Sequence, residues 1–137
     1  MIAYQRALAR AVAEGAGAVP GVRAADVAIF AGIGLRKQLA ALRALLPNTL
    51  AALGRAEFDA RCAAFARTRA AAGPAEYRAE AIAFARSLGT ATARREARIV
   101  AAHGPRASFA VVRDGRRITV FVRPRHGARL RVVNLFR

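Results

Sequence analysis

The chain has 137 residues, 55% of them hydrophobic, and a formal net charge of +16. This length and apolar content indicate a single domain with an ordinary hydrophobic core. Its Leu, Ile, Val and Phe content excludes a disordered chain, and no apolar run reaches the roughly 18 residues that a membrane span needs. The first residues lack the charged and apolar regions of a signal peptide, so we expect a cytoplasmic protein that does not contact the membrane.

The N-terminal part of the chain predicts an α-helical bundle, because apolar residues recur at spacings of three and four between Gly and Pro interruptions. Pro47 ends the longest helix, and Asn48 or Thr49 can cap the short helix that follows. Gly32 and Gly34 indicate either a close helix contact or a bend, and the pattern fits both. The predicted helices are 2–14, 24–46, a short segment that ends at Gly54, 56–71, 75–88, and a last helix that Thr90 caps and that ends at Ala102.

The C-terminal part predicts an antiparallel β-ribbon. Runs of β-branched and aromatic residues flank Asp114-Gly115, and this arrangement is a strong hairpin signal. A two-residue turn at that pair would place Val111 opposite Ile118. A third strand is expected because two strands alone are seldom stable. The predicted strands are 108–113, 116–122 and 130–136.

Alternation along the strands divides the predicted hairpin into two faces. We expect the more apolar face to pack on the helices, so that residues 1–137 form one α+β domain with a helical part, 1–104, and a β-ribbon part, 105–137. The face expected to pack contains Phe109, Val111, Ile118, Val120 and Val122. The opposite face contains Ala110, Val112, Arg117, Thr119, Phe121 and Arg123.

The positive charge is concentrated in the predicted ribbon. Residues 94–137 contain 12 arginines and two acidic residues, a balance of +10, against +6 for residues 1–93. Basic surfaces bind phosphates because binding releases counterions, so a basic nucleic-acid-binding protein is one interpretation. The other is an ordinary solvated surface in a protein from a GC-rich genome, since Lys37 is the only lysine among 24 basic residues.

The chain contains few groups that could carry out catalysis. Among its eight carboxylates, Glu76 and Glu80 could share a helix face, but nearby arginines favour a solvated ion-pair face. Cys62 stands alone in a helical pattern and is predicted to be a small buried residue. His103, at a helix end where it could cap carbonyls, and His126 belong to no nucleophile motif or zinc-ligand spacing. We therefore predict no catalytic residue, metal site or cofactor in this chain.

Binding is better supported than catalysis. The third predicted strand leaves an open sheet edge, to which an extended peptide can add through backbone hydrogen bonds. Arginines on the ribbon could select acidic side chains of that peptide, and a solvated basic edge that discourages aggregation is the equally weighted alternative. The candidate peptide-binding residues are Arg113, Arg117, Arg123, Arg129, Arg131, Val133 and Leu135.

The helical part resembles the HvfC/BufC family, whose small helical domain is often labelled DNA-binding. The shared features are a leucine-rich helix followed by Pro, a short helix that ends in Gly, and an acidic-aromatic start to the next helix. They cover about residues 2–102. The matching residues are LAALRALLPNTLAALG from Leu39 to Gly54, then Glu57-Phe58, Ala63-Ala64-Phe65-Ala66, Glu76-Tyr77 and Phe84.

Related MbnC/TglI-type subunits accompany TIM-barrel multinuclear non-haem iron oxidases, which modify cysteines on ribosomally made peptides. The resemblance implies that this chain is a non-catalytic partner in a heterodimer with such an oxidase. It would bind the precursor peptide and present its cysteine, and the iron would belong to the partner. A nucleic-acid-binding protein is the less favoured alternative.

Overall fold

The structure, a computed structural model, describes residues 2–15, 17–69, 76–105 and 108–136. The predicted α+β class is confirmed, because in these residues a set of helices precedes a three-stranded antiparallel sheet. The elements are α1 (Ile2–Glu14), α2 (Ala24–Leu45), α3 (Pro47–Leu53), α4 (Arg55–Arg69), α5 (Tyr77–Leu88), α6 (Ala91–Ala102), β1 (Ser108–Asp114), β2 (Arg117–Arg123) and β3 (Arg131–Phe136). Predicted helix residues 70, 71 and 75, with the break at Gly73-Pro74, lie outside the described residues.

Several helix ends lie at the residues that the sequence pattern marks. Gly89 follows α5 with a φ of 69°, a left-handed conformation that glycine adopts without strain. At the start of α6, the Thr90 hydroxyl accepts the backbone N–H of Ala93 at 3.2 Å, which confirms the predicted cap. At its end, His103 Nδ1 lies 2.9 Å from the Ile99 carbonyl oxygen, so the predicted capping by this imidazole is also confirmed.

The start of α3 differs from the prediction. Leu46 occupies the cap position and Pro47 begins the helix, while Asn48 and Thr49 lie inside its first turn. The carboxylate of Glu96, from α6, accepts the backbone N–H groups of Asn48 and Thr49, each at 2.8 Å. Capping by Asn48 or Thr49 is therefore a wrong prediction. A carboxylate from another helix satisfies the free N–H groups and interacts favourably with the helix dipole.

The main core forms where α2, α4, α5 and α6 meet. Phe84 of α5 packs edge to face on Phe58 of α4 with ring centroids 5.3 Å apart, and it lies 5.5 Å from Phe65. Burying a side chain of this size stabilises a fold by about 1.5–3 kcal/mol, so these rings hold the bundle together. The buried residues are Leu42, Leu46, Phe58, Cys62, Ala81, Phe84, Ala85, Ala93, Ala97 and Val100.

The two glycines of α2 lie beyond the small cluster in which Ala11, Val19 and Val27 join α1 to α2. A Cβ atom added to Gly34 would meet nothing within 4 Å, and one added to Gly32 would meet the Arg36 guanidinium. Close helix contact at these glycines is therefore not found among the described residues.

Glu80 is buried, which contradicts the predicted solvated ion-pair face. Its carboxylate lies 3.3 Å from the Arg69 guanidinium and accepts a hydrogen bond from the Gln38 amide at 3.4 Å. Glu76 is exposed just before α5. The two carboxylates therefore lie in different environments, and Glu80 links α2, α4 and α5.

The sheet has the strand order β1-β2-β3, and both pairs are antiparallel. The hairpin turn consists of Gly115 and Arg116, with a φ of 58° at Gly115, the pattern of a type II′ turn. The predicted turn lies one residue too early, so Val111 pairs with Val120 and not with Ile118. This difference moves the partner by two residues along β2 and leaves the predicted membership of each face unchanged.

The face that packs on the helices is the opposite of the predicted one. Val112 and Phe121 are each 6% exposed and cluster with Ala102 of α6, whereas Phe109 is 72% exposed. The last turn of α6 decides the orientation. The sheet turns Phe121 toward it, and the Phe121 ring lies 5.5 Å from that of His103, edge to face. Packing through the Phe109 face is therefore a wrong prediction.

Candidate peptide-binding surface

The side of the sheet turned away from α6, here called the outer sheet face, is largely apolar. Val133 and Leu135 of β3 are about half exposed, like Val111 of β1, while the β2 residues are partly buried by their neighbours. Large contiguous apolar patches are rare on the surfaces of monomeric proteins, and where they occur they usually mark an interaction site. The residues of the outer sheet face are Phe109, Val111, Arg113, Ile118, Val120, Val122, Arg131, Val133 and Leu135.

The third strand lies at one edge of the sheet, as predicted from the sequence. Among the described residues β3 pairs with β2 alone, and residues 131–135 are all exposed. Helix α6 packs against β1 and β2. An edge strand presents a row of backbone N–H and C=O groups that can pair with another extended segment. The edge of β3 therefore offers both backbone and side-chain contacts to a partner.

The structure divides the seven predicted site residues. Those on the outer sheet face are Arg113, Arg131, Val133 and Leu135. Those elsewhere are Arg117 and Arg123, on the side of the sheet that faces the helices, and Arg129, exposed in the loop before β3. The first four form one surface, and the other three do not join it.

Arg123 holds the β2–β3 loop rather than facing outward. Its guanidinium donates a hydrogen bond to the carbonyl oxygen of Ala128 in that loop. The Gly127 N–H donates to the Pro105 carbonyl at 2.8 Å, which ties the same loop to the segment after α6. These two contacts fix the position from which β3 starts. Arg113, by contrast, donates through Nε to the Gly115 carbonyl of the β1–β2 hairpin turn at 3.1 Å.

Phe109 and Val111 belong to this surface but are absent from the predicted set. The alternation of the strand groups them correctly with Val120. The rule that the more apolar face is the buried one misplaces them. Which face is buried depends on a tertiary contact, namely where the end of α6 meets the sheet, and the local sequence pattern does not contain this information.

Two observations concern the titratable and metal-ligating side chains of the described residues. No cluster of three or more His, Cys, Asp or Glu side chains that could hold a metal ion is found among them. Cys62 is fully buried, as predicted, and burial raises the pKa of its thiol to about 11. This side chain is therefore a neutral thiol near pH 7 and packs as a small apolar group.

The fold and this surface together define a small α+β protein with an exposed sheet face and an edge strand, β3, that pairs on one side only among the described residues. The chain matches no protein-family model, no curated protein and no solved structure. In the described parts of the chain, no helix combines the length and apolar character needed to cross a membrane.

Proposed function

We propose that this protein is a non-catalytic, cytoplasmic subunit that binds a ribosomally made precursor peptide and pairs with a TIM-barrel multinuclear non-haem iron oxidase. The main support is the exposed edge of β3 beside the apolar outer sheet face. The resemblance of residues 2–102 to the HvfC/BufC family suggests the class of enzyme partner. In this proposal the iron and the oxidation chemistry belong to the partner.

The peptide adds to β3 as a further strand. Backbone groups of the peptide pair with the free edge, and every second side chain lies over Val133 and Leu135. The Arg131 side chain, on the same face, has no hydrogen bond or ion pair with a described residue, so its guanidinium is available for a peptide carboxylate. In the preferred peptide, apolar residues therefore occupy every second position, and an acidic residue lies near one end.

A second surface suits the enzyme partner. On α2, Ile29 and Phe30 are more than half exposed, and Ile33 lies one turn further along the helix. A standard interface buries about 800 Å² on each partner, more than these three side chains provide, so neighbouring residues would contribute. Binding the peptide on the sheet and the enzyme on α2 would raise the effective concentration of the cysteine at the metal site.

The proposal is tested with the full chain, the oxidase and the precursor peptide encoded beside its gene. The three should co-elute in gel filtration, and peptide addition should slow amide hydrogen exchange in residues 131–136. Replacing Arg131 by Glu should weaken peptide binding by about tenfold or more, because it replaces a charge-assisted contact by repulsion. The matched control is Arg98→Glu, the same charge change on an exposed part of α6.

Two outcomes would contradict the proposal. One is equal peptide affinity for the Arg131→Glu and Arg98→Glu variants, which would leave only general charge attraction. The other is turnover of the peptide by this chain in the absence of the oxidase.

One observation favours nucleic-acid binding as a second candidate. Phe109 is exposed on a sheet of a strongly basic chain, and an exposed ring can stack on a base with about 1–3 kcal/mol. In that case Phe109→Ala weakens binding of a single-stranded oligonucleotide, with a salt dependence of about −0.7 per phosphate contact. Leu135→Asp, in contrast, weakens peptide binding, because Leu135 lies on β3, the strand proposed to pair with the peptide, and Phe109 lies on β1 at the opposite side of the sheet. The two variants therefore separate the two functions.

A further inference from the structure

A cleft of about 260 Å³ opens between α2, α3, α5 and α6, on the helical side of the protein. Its apolar lining comes from the end of α2, from Pro47 at the start of α3 and from α6. Polar groups from α3, α5 and α6 lie at its wall. The lining residues used below are Ala44, Leu45, Asn48, Arg78, Glu96, Ile99, Val100 and His103.

Most polar groups of the cleft already have partners. Glu96 accepts three hydrogen bonds, from the backbone N–H groups of Asn48 and Thr49 and, at 3.1 Å, from the Asn48 side-chain amide. His103 is held by the Ile99 carbonyl through Nδ1. These groups fix the shape of the cleft and leave little capacity for a ligand.

Arg78 is the exception. Its guanidinium has no hydrogen bond or ion pair with any residue that the structure describes, although the residue is partly buried. Its side chain runs past Gly104, where an added Cβ would lie 3.7 Å from Arg78 Cδ and 3.6 Å from Nη1. These distances are ordinary van der Waals contacts, so the Arg78 side chain lies along Gly104, and the tight approach at this glycine is to the Ala101 carbonyl oxygen, 3.1 Å from the same Cβ.

A guanidinium beside an apolar cleft has a definite ligand preference. It is permanently charged, and its planar group of N–H donors matches the two oxygens of a carboxylate. The nearby negative charge of Glu96 is offset by the N–H donors of α3 that it accepts. Small-molecule sites combine an apolar wall with a few such oriented polar groups.

We propose that this cleft binds a small organic acid, independently of the peptide surface. The carboxylate pairs with Arg78, and a short aliphatic or aromatic body covers Leu45, Ile99 and Val100. The cleft is slightly below the roughly 300–1,000 Å³ of drug-sized sites, so the body is a chain of a few carbons or one ring.

The test is titration of the full chain with a panel of acids: butanoate, hexanoate, octanoate, benzoate and phenylacetate. The primary amide of each acid is titrated in parallel as its matched uncharged control. Binding is measured by calorimetry, and the site is located by amide chemical-shift changes. At least one acid should bind about tenfold or more tightly than its amide, since the charge-assisted pair is lost in the amide. The shifts should centre on residues 44–48, 78 and 96–103.

Two variants and one control complete the design. Arg78→Gln should make the acid and its amide bind equally, and Ala44→Leu, on the exposed end of the wall, should block both by filling the cleft. The control Arg98→Gln removes an equal charge from α6 outside the cleft and should change nothing. Circular dichroism checks that each variant folds. Failure of every acid to bind, acid binding unaffected by Arg78→Gln and Ala44→Leu, or shifts confined to the sheet would each overturn the proposal.

Discussion

The carboxylate of Glu96 on α6 accepts the backbone N–H of Thr49 on α3 at 2.8 Å, across 47 positions of the chain. Both residues are buried, so this hydrogen bond is shielded from water. It satisfies an N–H group that the first turn of a helix leaves free. The Glu96 side chain thus joins α3 to α6, the helix against which the sheet also packs.

We expect Glu96→Gln to lower the free energy of unfolding by about 2 kcal/mol, because a neutral amide replaces a charged acceptor of three N–H groups. Urea denaturation followed by circular dichroism measures the change. The matched control is Glu57→Gln, which removes an exposed pair with Arg61 on α4 and should have little effect. Equal losses in the two variants would mean that the buried cap contributes nothing specific.

The orientation of the sheet gives a second prediction, because Val111 and Val112 are adjacent but lie on opposite faces. Val112→Asp should cost about 3 kcal/mol or more, since it places a carboxylate among Phe121 and Ala102. Val111→Asp places the same group on the exposed outer sheet face and should cost less than about 1 kcal/mol. Thermal unfolding compares the two variants, and a larger loss for Val111→Asp would mean that the sheet packs through its other side.

The rings of the helical core give a third prediction, through a double-mutant cycle. Phe58 and Phe84 are in edge-to-face contact, so Phe58→Leu and Phe84→Leu should couple by about 1 kcal/mol. Phe58 and Phe121 belong to separate clusters, so Phe58→Leu and Phe121→Leu should be additive within about 0.5 kcal/mol. Coupling of equal size in both pairs would mean that the edge-to-face contact of Phe58 with Phe84 contributes nothing specific.

Local signals account for the parts of the fold that the sequence predicts well. Pro47, Gly89 and Thr90 act within one turn of their own positions, through fixed φ, left-handed φ and a hydroxyl cap. The strands likewise follow from the β-branched runs on both sides of Gly115. These features need no knowledge of the rest of the molecule, so the order of the elements and most of their bounds, to within one or two residues, are predictable.

Tertiary contacts decide the rest. Glu96 caps α3 from a distant helix, and no spacing rule in the sequence links it to Thr49. Both faces of the sheet carry apolar residues, so alternation assigns Phe109 and Phe121 to opposite sides without showing which side meets α6. For the candidate site, the edge position of β3 was predictable from the order of the strands. The hydrogen bond from Arg123 to the Ala128 carbonyl, which holds this arginine at the β2–β3 loop, was not.

Cys62 gives a fourth prediction, because its thiol has no contact with solvent. In the native protein, a thiol-specific reagent at pH 8 should react with Cys62 only as fast as the core opens. In denaturant it should react at the rate of a free cysteine. The two rates are compared by absorbance with an aromatic disulfide reagent. A native rate close to the denatured one would mean that α4 does not shield the sulfur.

The same residue predicts a loss of stability at high pH. Burial, with smaller effects of Asp59 and Glu80, raises the thiol pKa in the folded protein to about 11 from 9.0. Between these values the unfolded chain releases the proton and the folded chain keeps it, so the free energy of unfolding falls as pH rises. The expected loss is about 2 kcal/mol by pH 11 at roughly 1.4 kcal/mol per pH unit. It should be present in the wild type and absent in Cys62→Ala, and the difference between their urea-unfolding curves isolates it from other groups. Below pH 8 the difference should be constant, and a constant difference up to pH 11 would show that the thiol titrates alike in both states.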